Sequence, residues 1–348
     1  MPTTLIHYFS GTGNTARAVK IIAENLTKAG HLVTTVQINK GADPPMNQID
    51  YHIVAFPVLS WAPPVMVKQY LRKMPPSAGA KVAILAINGA VVRNGKLIRG
   101  YTGQALEAAE RLLKRKKFDV FLTANASFPD NWTQMTNPCD EQAQEVIFGV
   151  GEADVNEFIS GFLANNRSLY RCGGFNKAWT WVVAGLFGLV GRRVLGTFYM
   201  ADENCTGCSL CAKTCPSGTI VMKRGKPFWN DRCEDCNRCI NLCPEKAIQV
   251  SLPLLIVQIL LHFAIFIYGI ILVLHYTPIL LPVSGFIRIP AELLLLVLVT
   301  LAAFWITLYP LNAFFGLFQR IPAVRRFLCI SYTKKFRRYL APGYHPHR

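Results

Sequence analysis

Eight of the eleven cysteines fall into two runs of a single spacing. Cys205, Cys208, Cys211 and Cys215 precede Pro216, and Cys233, Cys236, Cys239 and Cys243 precede Pro244. Each run reads C-x2-C-x2-C-x3-C-P, and the second repeats the first 28 residues on. The repeat extends past the cysteines: Cys215-Pro216-Ser217-Gly218-Thr219-Ile220 parallels Cys243-Pro244-Glu245-Lys246-Ala247-Ile248, as expected of two half-domains about a pseudo-two-fold axis. Zinc sites pair C-x-x-C with a second such pair or with histidines and have no use for a third cysteine at the next step. Disulfide frameworks suit small secreted chains. The spacing suits iron–sulfur ligation, so this stretch is expected to move single electrons.

This stretch, roughly Met200 to Ser251, resembles bacterial ferredoxins that hold two 4Fe–4S clusters. The resemblance implies crossed ligation, with the fourth cysteine of each run serving the other cluster. One cluster would take Cys205, Cys208, Cys211 and Cys243, and the other Cys233, Cys236, Cys239 and Cys215.

The chain opens with an apolar strand, Leu5 to Phe9, followed by Ser10-Gly11-Thr12-Gly13-Asn14-Thr15 and a helical pattern from Ala16 to about Ala29. A strand, a Gly-rich turn and a helix N-terminus present backbone N–H groups to a phosphate. Ser10, Thr12 and Thr15 add hydroxyls, and no Lys or Arg lies inside the turn. The turn is neither G-x-G-x-x-G nor a P-loop. Further strands are expected at His31–Val36, Tyr51–Phe56, Lys81–Ile87 and Phe118–Ala124, and helices at Val65–Lys73, Gly103–Lys117 and Asp140–Asn165. This alternation argues for a parallel sheet covered on both faces.

The six-residue turn matches the FMN-phosphate loop of flavodoxins, and the first 166 residues resemble a flavodoxin-like α/β domain. The resemblance implies that FMN binds at the carboxyl edge of the sheet. Trp61 would lie against the isoalloxazine, Asn88, Gly89 and Ala90 at its pyrimidine edge, and Asn131 and Trp132 on the other side. Flavodoxins often stack a Tyr from the third loop, and none lies within Asn88–Gly95. With the cysteine region, residues 1–251 resemble a family of fused flavodoxin–ferredoxin proteins. The run Phe128-Pro129-Asp130-Asn131-Trp132 is reminiscent of that family too.

Leu252 to Tyr276 carries no acidic or basic side chain except His262 and His275. At 1.5 Å per residue it makes a helix of about 37 Å, enough to cross a hydrocarbon core of about 30 Å. A second uncharged stretch runs from Leu293 to Phe318, with Pro290 and Glu292 before it and Pro310 expected to kink or end it. The expected architecture is thus 1–166 flavodoxin-like, 167–199 a basic linker, 200–251 a small α+β two-cluster ferredoxin domain, 252–319 a transmembrane hairpin and 320–348 a basic tail.

The net charge of +17 would suit a nucleic-acid partner, but 13 of those charges lie in 167–199 and 320–348. Such clustering beside apolar segments points to anionic lipid headgroups and not to nucleic acid. The positive-inside rule puts the tail in the cytoplasm, and two spans return the redox domains to that side. Met1 leads straight into the first strand, so no signal peptide is expected. Within the linker, Ala178–Gly191 is apolar, contains Trp179 and Trp181, and is expected to lie on the bilayer as an interfacial helix. His262 is a candidate for helix–helix hydrogen bonding, quinone contact or proton relay. Cys139, Cys172 and Cys329 read as plain free thiols, although a helix start could lower the pKa of Cys139.

The reading is of a membrane-anchored electron carrier or reductase. Electrons would pass between FMN, two 4Fe–4S clusters and a membrane-associated partner protein, quinone or lipid-soluble substrate. A redox-sensing accessory or assembly protein of a membrane complex is the alternative. No nicotinamide-binding motif and no nucleophile–base constellation stands out.

Overall fold

The computed structural model describes residues 1–45, 49–280, 285–318 and 321–346. The amino-terminal part runs β1 (Thr3–Tyr8), α1 (Asn14–Lys28), β2 (Leu32–Gln37), β3 (Tyr51–Pro57), α2 (Val65–Lys73), β4 (Lys81–Arg93), β5 (Lys96–Arg99), α3 (Ala105–Arg115), β6 (Asp119–Pro129) and α4 (Glu141–Leu163). Five strands pair in parallel in the order β2-β1-β3-β4-β6, and β5 folds back antiparallel on the far end of β4. This is the flavodoxin-like order, whose switch point lies between β1 and β3.

The sheet is apolar on both faces because helices cover both. On one side Ala18, Val19, Ile22 and Leu26 of α1 and Val155, Phe158, Ile159 and Phe162 of α4 pack against Ile6, Ile53 and Leu85. On the other, Val67 and Leu71 of α2 and Leu106, Ala109 and Leu113 of α3 pack against Val54, Phe56 and Ile84. The Asp140 carboxylate accepts from Ala143 N at 2.9 Å and starts α4. That second core also encloses a polar chain: His7 Nδ1 meets the Tyr70 hydroxyl at 2.8 Å and His7 Nε2 meets His52 Nδ1 at 3.0 Å.

Two strands run past their expected ends at Ile87 and Ala124. Asn88–Gly95 continues β4 and turns at Asn94-Gly95 into β5, and β6 runs on to Pro129. Main-chain pairing with β5, from Ala90–Arg99 to Arg93–Lys96, extends β4 beyond the alternation visible in its side chains.

In the cysteine region, Tyr199–Ala201 pairs antiparallel with Ile248–Val250, and Ile220–Lys223 with Lys226–Trp229. Short helices Leu210–Lys213 and Arg238–Leu242 each carry the third cysteine of a run. The repeat is written in the backbone as well. Left-handed conformations occur at Gly207 and Asp235 (φ 77° and 54°), at Ser209 and Asn237 (64° and 56°), and at Gly218 and Lys246 (58° and 47°). In each pair the partners hold equivalent places in the two runs.

The linker forms one continuous helix, Gly174–Thr197, with a π-helical turn at Phe187–Gly191. It is longer than the expected Ala178–Gly191, and by length and composition it is apolar enough to cross a membrane. The domains on either side of it touch directly, however, so the helix does not separate them. Trp179, Trp181 and Leu189 are exposed, while Thr180 and Ala184 are buried.

Helix Leu252–Leu280 packs against helix Gly285–Phe318, with Gly269 facing Leu296 and Val299. The second helix starts earlier than expected and runs past Pro310. The stretch between the two expected spans is helical at both ends, and 281–284 lie outside the described residues. His262 Nδ1 bonds back to Gln258 O at 2.7 Å, within its own helix.

The tail is not a loose extension. After helix Pro322–Leu328 it meets the ferredoxin-type region through Leu252 N→Ile330 O (2.9 Å) and Val250 N→Thr333 Oγ1 (3.1 Å). It then reaches the first domain through Tyr332 OH→Gln134 O (2.6 Å) and Ala341 N→Thr12 O (2.8 Å). Basic composition concealed this docking, because the residues that dock are Leu328, Cys329, Tyr339 and Ala341, all buried.

Candidate cofactor site

A cavity of about 510 Å³ opens at the carboxyl edge of the sheet, where the β1–α1 turn, the β3–α2 loop, the β4–β5 hairpin and the end of β6 converge. The turn is shaped by Ser10 Oγ, which accepts from Gly13 N (3.2 Å) and Ala16 N (3.3 Å). Gly13 stands at φ 108°, where a side chain would meet Tyr344 and Ala341 within 3 Å. The first-turn amides of Asn14 and Thr15 have no acceptor within the helix, as at any helix N-terminus. The wall includes Ser10, Gly11, Thr12, Asn14 and Thr15.

Trp61 is held by two successive left-handed residues, Ser60 (φ 46°) and Trp61 (φ 59°), across the short bridge Leu59–Ala62. Such non-glycine conformations cost free energy and tend to cluster at ligand clamps. Asn88 lines the cavity but spends its amide bracing the hairpin: Nδ2 donates to Thr102 Oγ1 at 2.9 Å, and Oδ1 accepts from that hydroxyl at 3.1 Å. Gly89 also lines the cavity. Ala90 does not; it is buried in the hairpin, its carbonyl accepting from Asp130 N. Asn131 and Trp132 form the opposite wall. Asn131 Nδ2 donates to Thr12 Oγ1, and Trp132 Nε1 donates to Asp235 Oδ2 at 3.0 Å.

Several residues of this cavity were not foreseen. Tyr101 enters it from the segment just after β5, its hydroxyl 3.0 Å from Cys172 Sγ. An aromatic ring from the third loop is therefore present, but past the hairpin tip instead of within Asn88–Gly95. Val183 and Phe187 of the 174–197 helix line the cavity, as do Asp235, Cys236 and Asn237 of the second cysteine run. An added Cβ at Gly11 would lie 2.4 Å from Cys236 O. The phosphate turn and a cluster cysteine are thus in van der Waals contact, which no pattern within either segment announces.

The fourth cysteine of each run is an electrostatic neighbour of the other run: Cys243 acts on Cys211, and Cys215 on Cys236 and Cys239. Burial pushes the Cys211 thiol up to about 12, reinforced by Cys243, Cys205 and Cys208 around it. Burial likewise raises Cys236 to about 12, with Cys215 among its neighbours, and raises Cys239, which senses Cys236, Cys215 and Cys211. Buried thiols crowded in this way resist ionisation until a cation compensates them. The ferric and ferrous ions of a cluster supply that compensation, so the donor set fits. No three His, Cys, Asp or Glu side chains among the described residues close on a single metal ion.

The cavity also fits a flavin phosphate and ring. It combines a phosphate-type turn, the aromatic rings of Trp61, Tyr101 and Trp132, and an unpartnered buried oxygen, Asp235 Oδ1. Burial raises the Asp235 carboxyl to about 8, against the lowering bonds from Trp132 and Tyr199. Cys139 behaves oppositely to a helix-start thiolate: burial raises its pKa.

Residues 204–248 match the family described as a 4Fe-4S dicluster domain. No curated protein matches the chain. Similar solved structures include a flavodoxin of Streptococcus pneumoniae TIGR4, at 16% identity over 47% of this chain and 98% of that one, TM-score 0.32. Oxidised flavodoxin 2 from Bacillus cereus gives 17% identity over 45% and 99%, TM-score 0.31. Two-electron reduced Megasphaera elsdenii flavodoxin gives 20% over 44% and 98%, TM-score 0.28. The strand order, and not these values, carries the fold assignment. The chain joins a flavodoxin-like α/β domain to a 4Fe–4S ferredoxin-type domain, the make-up of an electron-transfer flavo-iron–sulfur protein.

Proposed function

We propose that this chain is a membrane-anchored conduit carrying electrons between FMN, two 4Fe–4S clusters and a partner at the membrane, either a redox protein or a quinone-class molecule. The observation that carries the reading is Cys236 in the wall of the cavity built on the Ser10–Thr15 turn. Bound FMN exchanges electrons in pairs or singly, and clusters exchange them one at a time; that chemistry belongs to the cofactors.

The chain's own residues supply positions. Ser10–Thr15 offer amides and hydroxyls to the phosphate. Trp61 and Tyr101 present rings to the flavin, and Asn88 and Gly89 hold the hairpin edge. Trp132 ties the cavity wall to the second cysteine run through Asp235. Cys205, Cys208, Cys211 and Cys243 would hold the second cluster, and the influence of Cys211 on Cys239 supports a path between the two.

Membrane anchoring is supported by the apolar helix Leu252–Tyr276. The bond from Ala341 N to Thr12 O supports a topology in which the redox domains and the tail share one side of the hairpin. With the positive-inside rule that side is the cytoplasm, for both termini. The outward Trp179 and Trp181 suit a 174–197 helix lying against lipid headgroups. The test is cofactor analysis of the detergent-purified protein. One FMN and two clusters' worth of iron and sulfide per chain are expected. Protein that carries no flavin and takes none up on reconstitution refutes the flavin assignment.

A further inference from the structure

Arg238 stands between the two cofactor regions and is 4% exposed. Its Nε donates to Gly11 O at 2.9 Å and its Nη2 to Ser10 O, both in the phosphate turn. Nη1 donates to Thr214 O at 2.6 Å, beside Cys215, and Nη2 also reaches the Tyr344 hydroxyl at 2.8 Å. Every one of these acceptors is neutral. Among the described residues no carboxylate lies within ion-pair distance of the guanidinium. An isolated buried cation is expensive, and folded chains pair it with an anion. Arginine cannot lose its charge to escape the cost.

Two anions would flank this guanidinium once the protein is loaded. One is the phosphate on the Ser10–Thr15 turn. The other is the cluster of Cys215, Cys233, Cys236 and Cys239, whose ligand Cys236 lies two residues before Arg238 and against Gly11. Resting on the function proposed above, we infer that Arg238 is the shared counter-charge of the FMN phosphate and the flavin-side cluster, holding the two in one electrostatic unit. Its hydrogen bonds turn the Ser10 and Gly11 carbonyls toward the ferredoxin-type domain, which leaves the amide side of the turn for the phosphate. A positive charge beside a cluster favours the reduced, more negative state. The same charge favours the bound phosphate dianion.

The test compares Arg238→Gln and Arg238→Lys in the full-length holoprotein, reading FMN affinity and the midpoint potential of each cluster by redox-poised EPR. Arg238→Gln should raise the FMN Kd at least tenfold, which is 1.4 kcal/mol. It should also lower the reduction equilibrium of the flavin-side cluster about tenfold, 59 mV for one electron. The outer cluster should be unmoved. Arg238→Lys keeps the charge but not the forked bonding, so it should retain most of the cluster potential. Equal shifts in the two variants, or no shift in either, overturn the inference in favour of a purely structural clip. If wild-type protein lacks FMN or one of the clusters, the underlying function fails first and the inference with it. A loaded wild type with unmoved variants defeats the inference alone.

Discussion

The two cysteine runs share one spacing and one set of left-handed turns, yet they live in different surroundings. The first presents Cys208 to solvent. The second is walled in: Cys233 lies under Gly196 of the linker helix, where an added Cβ would come within 2.4 Å of it, and Cys236 lies against Gly11. Arg192 Nη1 donates to Cys233 O at 2.7 Å, and Glu234 caps α2 through Val65 N at 2.8 Å. Ligand spacing therefore specifies what is bound, while the neighbours decide what each cluster faces. The second run lines the cavity through Cys236, and the first exposes Cys208.

The largest effect should come from cysteine replacements that split the two groups. Cys236→Ala should abolish the flavin-side cluster signal in EPR and leave flavin reduction uncoupled from the remaining cluster. Cys208→Ala should abolish only the outer one. Cys215→Ala should behave like Cys236→Ala despite belonging to the first run; loss of the outer signal instead would refute the crossed grouping.

Acid probes the core of the flavodoxin-like domain. His7 and His52 are buried neutral, their pKa values lowered by burial to about 3 and about 4. Unfolded, each titrates near 6.5. Their contribution to stability is thus complete above pH about 6.5 and is lost as pH falls toward their folded values. Denaturant unfolding of the flavodoxin-like domain should show an uptake approaching two protons between pH 6 and 4. A His52→Phe variant should flatten that slope; an unchanged slope would remove the pair from the account.

A smaller change tests the contact itself. Gly11→Ala forces a methyl group toward Cys236 O and should cost about 1–3 kcal/mol while slowing flavin-to-cluster transfer. Gly149→Ala, in α4 with open space around it, should be neutral or stabilising by thermal unfolding. Smaller still, Tyr339→Phe removes the hydroxyl bonded to Asn14 Oδ1 and should cost about 1 kcal/mol. Its FMN Kd should rise severalfold by fluorescence titration, because the tail then braces the turn less firmly. An unchanged Kd would make the tail a cover and not a brace.

The elements around these contacts were largely legible in the sequence. α2 matches the expected Val65–Lys73, because its apolar positions Val67, Tyr70 and Leu71 repeat at helical spacing. The phosphate turn and the two cysteine runs could be read because their chemistry needs particular residues at short range. What stayed hidden was long-range. Tyr101 reaches the cavity only because β4 and β5 form a hairpin. Arg238 meets Ser10 across 228 residues of chain, and Tyr339 meets Asn14 across 325. Such contacts depend on how domains dock, and local periodicity carries no signal of it. The tail shows the same limit: its charge pointed to lipid, while its buried Leu328, Cys329 and Tyr339 carry the docking.

The most direct test of the account is an anaerobic reductive titration of the detergent-purified protein followed by low-temperature EPR and optical spectra. Two mutually interacting 4Fe–4S signals are expected, with a flavin signal whose relaxation is accelerated by the nearer cluster. Two clusters beside a flavin that relaxes as if isolated, or clusters with no flavin at all, would contradict a conduit built on the contact between Gly11 and Cys236.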